Sequence, residues 1–117
     1  MLLCTNLFGD ILSDLLSGLA GGLGMAPGAN FGDSNAIFEA VHGSAPDIAG
    51  KGIANPISLL LAACLMLEHV GLGNSALQLR TAIGKTLNQD NVRTGDLHGN
   101  ASTEQFADAI VRRLQTD

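Results

Sequence analysis

Asp10 and Asp14 stand four residues apart in Asn6-Leu7-Phe8-Gly9-Asp10-Ile11-Leu12-Ser13-Asp14. On a helix that spacing puts both carboxylates on one side, a turn apart. Two such oxygen donors can share Mg2+ or Mn2+, which usually takes one or two protein carboxylates and completes its octahedron with substrate and water. The same spacing also suits a plain solvated helix face. Asp10 follows an apolar run of strand length, and open α/β sheets place their ligands at the carboxyl ends of strands. A second candidate is His42-Gly43-Ser44-Ala45-Pro46-Asp47-Ile48-Ala49-Gly50. Its small residues allow close backbone approach, while His42, Ser44 and Asp47 supply directed polar groups. Such a segment can wrap a nucleotide, or it can be a surface Ω-loop with an incidental histidine.

Other chemistries find no support. Starting at Gly22, a G-x-G-x-x-G pattern is met by Gly24 but fails at Pro27, and the order of strand, turn and helix is wrong for an ordinary Rossmann site. No G-x-S-x-G elbow is present, and neither cysteine has a nearby base in sequence. His69 falls in an apolar helical stretch and reads as structural or as a surface-edge residue. His98 lies in a turn beside Asp96 and Gly99 and says little by itself.

Several elements must position these groups. Met1 to Asn6 reads as a strand buried on both faces, already under way at the first residue. Ile11, Leu15, Leu16 and Leu19 recur at helical spacing, so a helix over roughly 9 to 20 is expected to turn that stripe to the core. Gly18 to Gly32 holds six glycines and Pro27 and reads as a loop. Ala36 to Val41 is short, apolar and β-compatible, opening into the loop His42 to Asn55. Asn55-Pro56 reads as an N-cap and first helical position, leading a largely buried helix Leu59 to Val70 that Gly71 stops. A further helix spans about Asn74 to Asn88, followed by an extended piece around Val92 to Leu97. The last helix starts at Ser102 with a capping box to Gln105. It is expected to bury Phe106, Ala109, Ile110 and Leu114 and to leave Arg112 and Arg113 exposed at its end. The class is α/β, an incomplete sheet flanked by helices.

Composition bounds the rest. The 117 residues make room for one domain, here 1–117, and at 46% apolar and 15% charged the chain is too hydrophobic for a disordered one. Six Lys plus Arg against 11 Asp plus Glu give a net charge of −5 with no basic cluster, and the four Phe come without Trp or Tyr to stack on bases. Nucleic acid is not expected as a partner. The longest apolar run, Leu59 to Leu67, is too short to cross a membrane. No secretory signal is visible, and Cys4 and Cys64, each in an apolar run, read as buried thiols of a reducing compartment. A cytoplasmic protein is expected, or a mitochondrial matrix one if the source is eukaryotic. The strand with no partner upstream suggests the carboxy-terminal part of a longer protein.

Three ordered motifs, Asn6 to Asp14, the loop Gly21-Gly22-Leu23-Gly24-Met25-Ala26-Pro27-Gly28-Ala29-Asn30, and Glu39 to Pro56, resemble the isocitrate and isopropylmalate dehydrogenase family across nearly the whole chain. The resemblance implies the carboxy-terminal part of that fold, with Asp10 and Asp14 as ligands of Mg2+ or Mn2+ acting as a Lewis acid toward a small 2-hydroxy acid. It implies an adenosine-binding loop of His42, Gly43, Ser44 and Ala45, with Asn55 near the adenine and Asp96 in a later segment that closes over it. Asp47 and Ile48 stand where the family's NADP-dependent bacterial members carry Lys and Tyr. A carboxylate there suits free ribose hydroxyls and repels a phosphate, so NAD is the implied cofactor. Ala26 to Asn30 and Phe38 to His42 look like isocitrate dehydrogenases, while Gly43 to Pro56 is as much at home in isopropylmalate dehydrogenases. Oxidative decarboxylation of isocitrate to 2-oxoglutarate is the favoured activity. The alternatives are an isopropylmalate, homoisocitrate or tartrate dehydrogenase segment, and a non-catalytic nucleotide-binding or regulatory module. The family's substrate-clamping arginines, catalytic tyrosine, cross-dimer lysine and third metal aspartate would precede Met1. No catalytic residue is therefore expected within these 117, which alone should be inactive, and a homodimer or higher oligomer is implied for the full-length protein.

Overall fold

A computed structural model describes residues 2–116. Asn6–Ala20 forms α1, Pro27–Phe31 and Ala36–Ala40 form strands β1 and β2, and Ile57–His69, Gly73–Asn88 and Thr103–Thr116 form α2, α3 and α4. Single 3-10 turns lie at Leu23–Met25, Pro46–Ile48 and Gly95–Leu97. The strands make an antiparallel hairpin in which Gly28 faces Glu39 and Phe31 faces Ala36. α2 packs on both strands of this hairpin and on α3, α3 packs on α4, and α1 contacts the turn Leu23–Met25, so the α/β class with a small sheet and helices stands, although its pairing is antiparallel.

The core is where α2, α3 and α4 meet. Ile57, Ala82, Ile83, Phe106 and Ile110 are buried together, and Leu60, Leu61, Leu79, Leu87, Val92 and Leu97 close around them. Two sequence-read helix ends are made as expected. Gly71, at φ 82°, ends α2 in a Schellman motif: its N–H donates to the Glu68 carbonyl and that of Leu72 to Leu67. At the start of α4 the Gln105 N–H donates to Ser102 Oγ (3.1 Å) and the Ser102 N–H to Gln105 Oε1 (2.9 Å), the reciprocal capping box.

Other expectations change. Leu2 to Thr5 forms no strand, and Leu2 and Leu3 are exposed; Met1 lies outside the described residues. An apolar run becomes a strand only when a neighbour pairs with its N–H and C=O groups, and none does so among the described residues. For the same lack of a facing surface, Ile11, Leu15, Leu16 and Leu19 are exposed rather than in the core, and so is Cys4. The glycine-rich stretch contains β1, because pairing with β2 across the turn Gly32–Asn35, closed by the Gly32 N–H on the Asn35 carbonyl, overrides the poor propensity of Pro27-Gly28. Val41 falls just beyond β2. The piece Val92 to Leu97 is still extended at Thr94 but then curls into the 3-10 turn Gly95–Leu97. The buried face of α2 is narrower than its composition suggests, with Leu59, Met66 and Val70 outside it, and Leu114 of α4 is exposed. Arg113 is half-buried and paired with Asp90, and this guanidinium holds the Asp90 carboxyl below the usual range. The stabilisation from that pair is present above the ordinary aspartate pKa and fades as acid lowers the pH through the depressed one.

Two predictions arise from the core. Thr86 is fully buried and its Oγ1 has no partner, so Thr86→Val, which keeps the shape and removes the stranded hydroxyl, should raise unfolding free energy by about 1 kcal/mol in a urea titration. Burial pushes the Cys64 thiol up, while Cys4 is exposed. A maleimide at neutral pH should therefore label Cys4 rapidly and Cys64 only with unfolding, and raising the pH should speed the second reaction by increasing its thiolate fraction. Among the described residues no helix is long and apolar enough to cross a membrane.

Candidate functional site

A single side chain sets the direction of the His42 loop. Ser58, fully buried in the first turn of α2, donates to the Ala26 carbonyl and accepts the Val41 N–H at 3.2 Å. It thereby closes the open end of the hairpin and fixes where residue 42 leaves the sheet. Beyond it, Ala45 takes a left-handed conformation (φ 43°) that turns the chain into Pro46–Ile48. The far end of the loop is held by α4, where the Thr103 N–H donates to the Gly52 carbonyl at 2.8 Å and Thr103 Oγ1 to that of Ala54.

Asn55 joins this loop to the opposite wall. Its Oδ1 accepts the Ile57 N–H at 2.9 Å, capping α2, and its Nδ2 donates to Asp96 Oδ2 at 2.8 Å. The other Asp96 oxygen accepts from Thr94 Oγ1 at 2.6 Å, and Thr94 is fully buried. Asn55 thus works as the helix cap the sequence suggests, although Pro56 occupies the position directly before the helix. The turn carrying Asp96 is compact because Gly99 packs on the backbone of Arg93: a Cβ at Gly99 would sit 2.0 Å from the Arg93 carbonyl oxygen.

Between these walls lies an open cleft of about 770 Å³. His42, Gly43, Ser44, Ala45, Ile48, Asn55 and Asp96 all line it, so seven of the eight residues expected at a nucleotide converge. Asp47 does not line it. It is exposed, because neighbours in a 3-10 turn project about 120° apart, and Ile48 takes the inward position. Gly24, from the turn after α1, also lines the cleft, as do Ile53 and Gly95. His42 Nδ1 lies 3.0 Å from the Gly43 carbonyl. A carbonyl only accepts, so Nδ1 carries the proton in this contact and neutral His42 keeps Nε2 as an acceptor.

Asp10 and Asp14 are both exposed on α1 and are not among the residues lining the cleft. Their donor set fits a hard cation in type, since both ligands are carboxylate oxygens. It supplies only part of a coordination sphere: no group of three or more His, Cys, Asp or Glu gathers among the described residues.

Sequence reasoning missed Thr94, Ser58 and Thr103. Thr94 stands two residues before Asp96, a spacing at which a threonine and a carboxylate readily meet, so it was findable. Ser58 and Thr103 act across 32 and 49 positions, and no local signal marks them.

The chain resembles known proteins along its length. It is 52% identical over 116 residues to the isocitrate/homoisocitrate dehydrogenase of Thermus thermophilus, covering 99% of this chain and 34% of that one. It is 56% identical over 113 residues to the mitochondrial NAD isocitrate dehydrogenase subunit 2 of Saccharomyces cerevisiae, covering 95% and 31%. The crystal structure of isocitrate dehydrogenase from Methylococcus capsulatus superposes with a TM-score of 0.91 at 51% identity, over 96% of this chain and 34% of that chain. The chain therefore spans about a third of the length of these relatives. Residues 1–110 match the model of the isocitrate/isopropylmalate dehydrogenase family, and with this fold and this cleft the chain belongs to that family.

Proposed function

We propose that the cleft binds the adenosine part of NAD, and that the chain is the carboxy-terminal part of a longer NAD-dependent dehydrogenase that oxidises and decarboxylates isocitrate to 2-oxoglutarate. The observation that carries this reading is the convergence of His42 to Ala45, Ile48, Asn55 and Asp96 on one cleft of ligand size. The relatives named for isocitrate, one of them also for NAD, support the choice of substrate and cofactor.

The chain's own residues divide the work. Gly43 and Ala45 present no side chain large enough to keep a ribose or base from the backbone. His42 offers Nε2 as an acceptor, and Ser44 a hydroxyl. Asp47, exposed next to the cleft-lining Ile48, carries the negative charge that would repel a 2′-phosphate and so disfavour NADP. Asn55 and Asp96, each holding the other, keep the far wall in place. Asp10 and Asp14 would hold Mg2+ or Mn2+, and a cation bound there supplies Lewis acidity toward the hydroxyl and carboxylate oxygens of the substrate. A homodimer or higher oligomer is the assembly proposed for the full-length protein, in line with the subunit naming of the Saccharomyces cerevisiae relative.

Calorimetric titration of the 117-residue chain with NAD+ and NADP+ tests the nucleotide reading. NAD+ should bind about tenfold or more tightly than NADP+, from the charge at Asp47. A chain that binds neither, or prefers NADP+, overturns it. For the longer protein, threo-isocitrate with Mg2+ and NAD+ should yield NADH, and turnover of isopropylmalate alone would move the substrate assignment.

A further inference from the structure

We infer that Thr94 is a positioning residue for the nucleotide, acting through Asp96; this rests on the reading of the cleft as a nucleotide site. Three observations lead to it. Thr94 is completely buried, yet its hydroxyl is aimed at one oxygen of a carboxylate that itself lies at the exposed wall of the cleft. The other oxygen of that carboxylate is taken by Asn55, whose remaining polar atom caps α2. The Thr94 carbonyl also accepts the N–H groups of both Leu97 and Gly99, so the same residue folds the turn that presents Asp96.

Each link constrains the next. With Oδ1 held by Thr94 and Oδ2 by Asn55, the Asp96 carboxyl plane has one orientation and its turn one distance from the start of α2. The spacing between the Asp96 wall and the His42 loop is then set before any ligand arrives, which is how a site lowers the ordering cost of binding. Without the Thr94 hydroxyl, Asp96 can rotate away from Asn55 toward water, and the wall loses its fixed position. Asn55 would still cap α2, so the change falls on the cleft and not on the helices.

Thr94→Val preserves shape and removes only the donor. NAD+ affinity of the 117-residue chain should fall about tenfold, the weight of one charge-assisted hydrogen bond, with the helical circular dichroism signal unchanged. Thr94→Ser should recover affinity to within about twofold. In an Asp96→Ala background, which leaves the Thr94 hydroxyl no acceptor at residue 96, Thr94→Val should cost little more, because a residue acting through Asp96 has nothing further to lose there. Amide exchange at Leu97 and Gly99 should quicken in Thr94→Val while α3 and α4 keep their protection. If Thr94→Val lost its cooperative unfolding, Thr94→Ala and Thr94→Ser would be compared in the same way. Wild-type affinity in Thr94→Val, or full additivity with Asp96→Ala, overturns the positioning role alone. Failure of the wild-type chain to bind NAD+ overturns the nucleotide reading and this role with it.

Discussion

Replacing Phe106 by alanine is expected to lower the unfolding free energy by about 3–5 kcal/mol. Phe106 is fully buried, the largest such side chain, and sits where α2, α3 and α4 meet. Removing the ring deletes its transfer free energy and leaves a cavity that Ile57, Ile83 and Ile110 cannot all collapse to fill. Against a typical domain stability of about 5–15 kcal/mol, that loss removes a large share of the total. The effect reaches the cleft as well. Phe106 is three residues after Thr103, whose hydrogen bonds hold Gly52 and Ala54, so loosening α4 frees the far end of the His42 loop. Urea unfolding followed by circular dichroism checks the prediction; a midpoint within about 0.3 M of wild type would contradict it.

Asn55→Ala should cost about 2–4 kcal/mol, less than Phe106→Ala in the fold and more in the site. Two hydrogen bonds disappear together: the Ile57 N–H loses its cap, and Asp96 loses the donor to its Oδ2. NAD+ binding should drop below detection. Asn55→Asp separates the two effects, because its carboxylate still accepts from the Ile57 N–H but stands against the negative Asp96. It should recover most of the stability and little of the affinity, with unfolding and NAD+ titration measured side by side. Equal recovery of both would mean that the Asn55–Asp96 contact does not shape the cleft.

The parts of the fold that were legible from sequence are those decided locally. The Ser102–Gln105 box and the Gly71 stop depend on groups within a few residues, so their signatures survive any context. The cleft residues were legible for another reason: most sit in the single loop His42 to Asn55, where small and polar residues have no packing task that would explain them. What failed was set by partners outside the segment itself. β1 exists because β2 lies beside it, and nothing in Pro27-Gly28-Ala29-Asn30-Phe31 announces a strand. The apolar stripe of α1 is legible in the sequence but its exposure is not, because a stripe records only that something covers it, not which surface. Asp47 and Ile48 differ in direction by one step around a 3-10 turn, a detail below the resolution of any residue-type argument.

That α1 face has a consequence for the behaviour of the chain as a colloid. Leu7, Phe8, Ile11, Leu15, Leu16 and Leu19 are each 49–78% exposed along one helix. Such a ridge wets poorly, and what keeps two molecules apart in dilute buffer is their shared charge of −5. Acidification toward the isoelectric point, near 4.9, removes that repulsion while the ridge stays as sticky as before. Turbidity should rise sharply there, and sulfate, which strengthens the burial of apolar surface, should move the cloud point to higher pH.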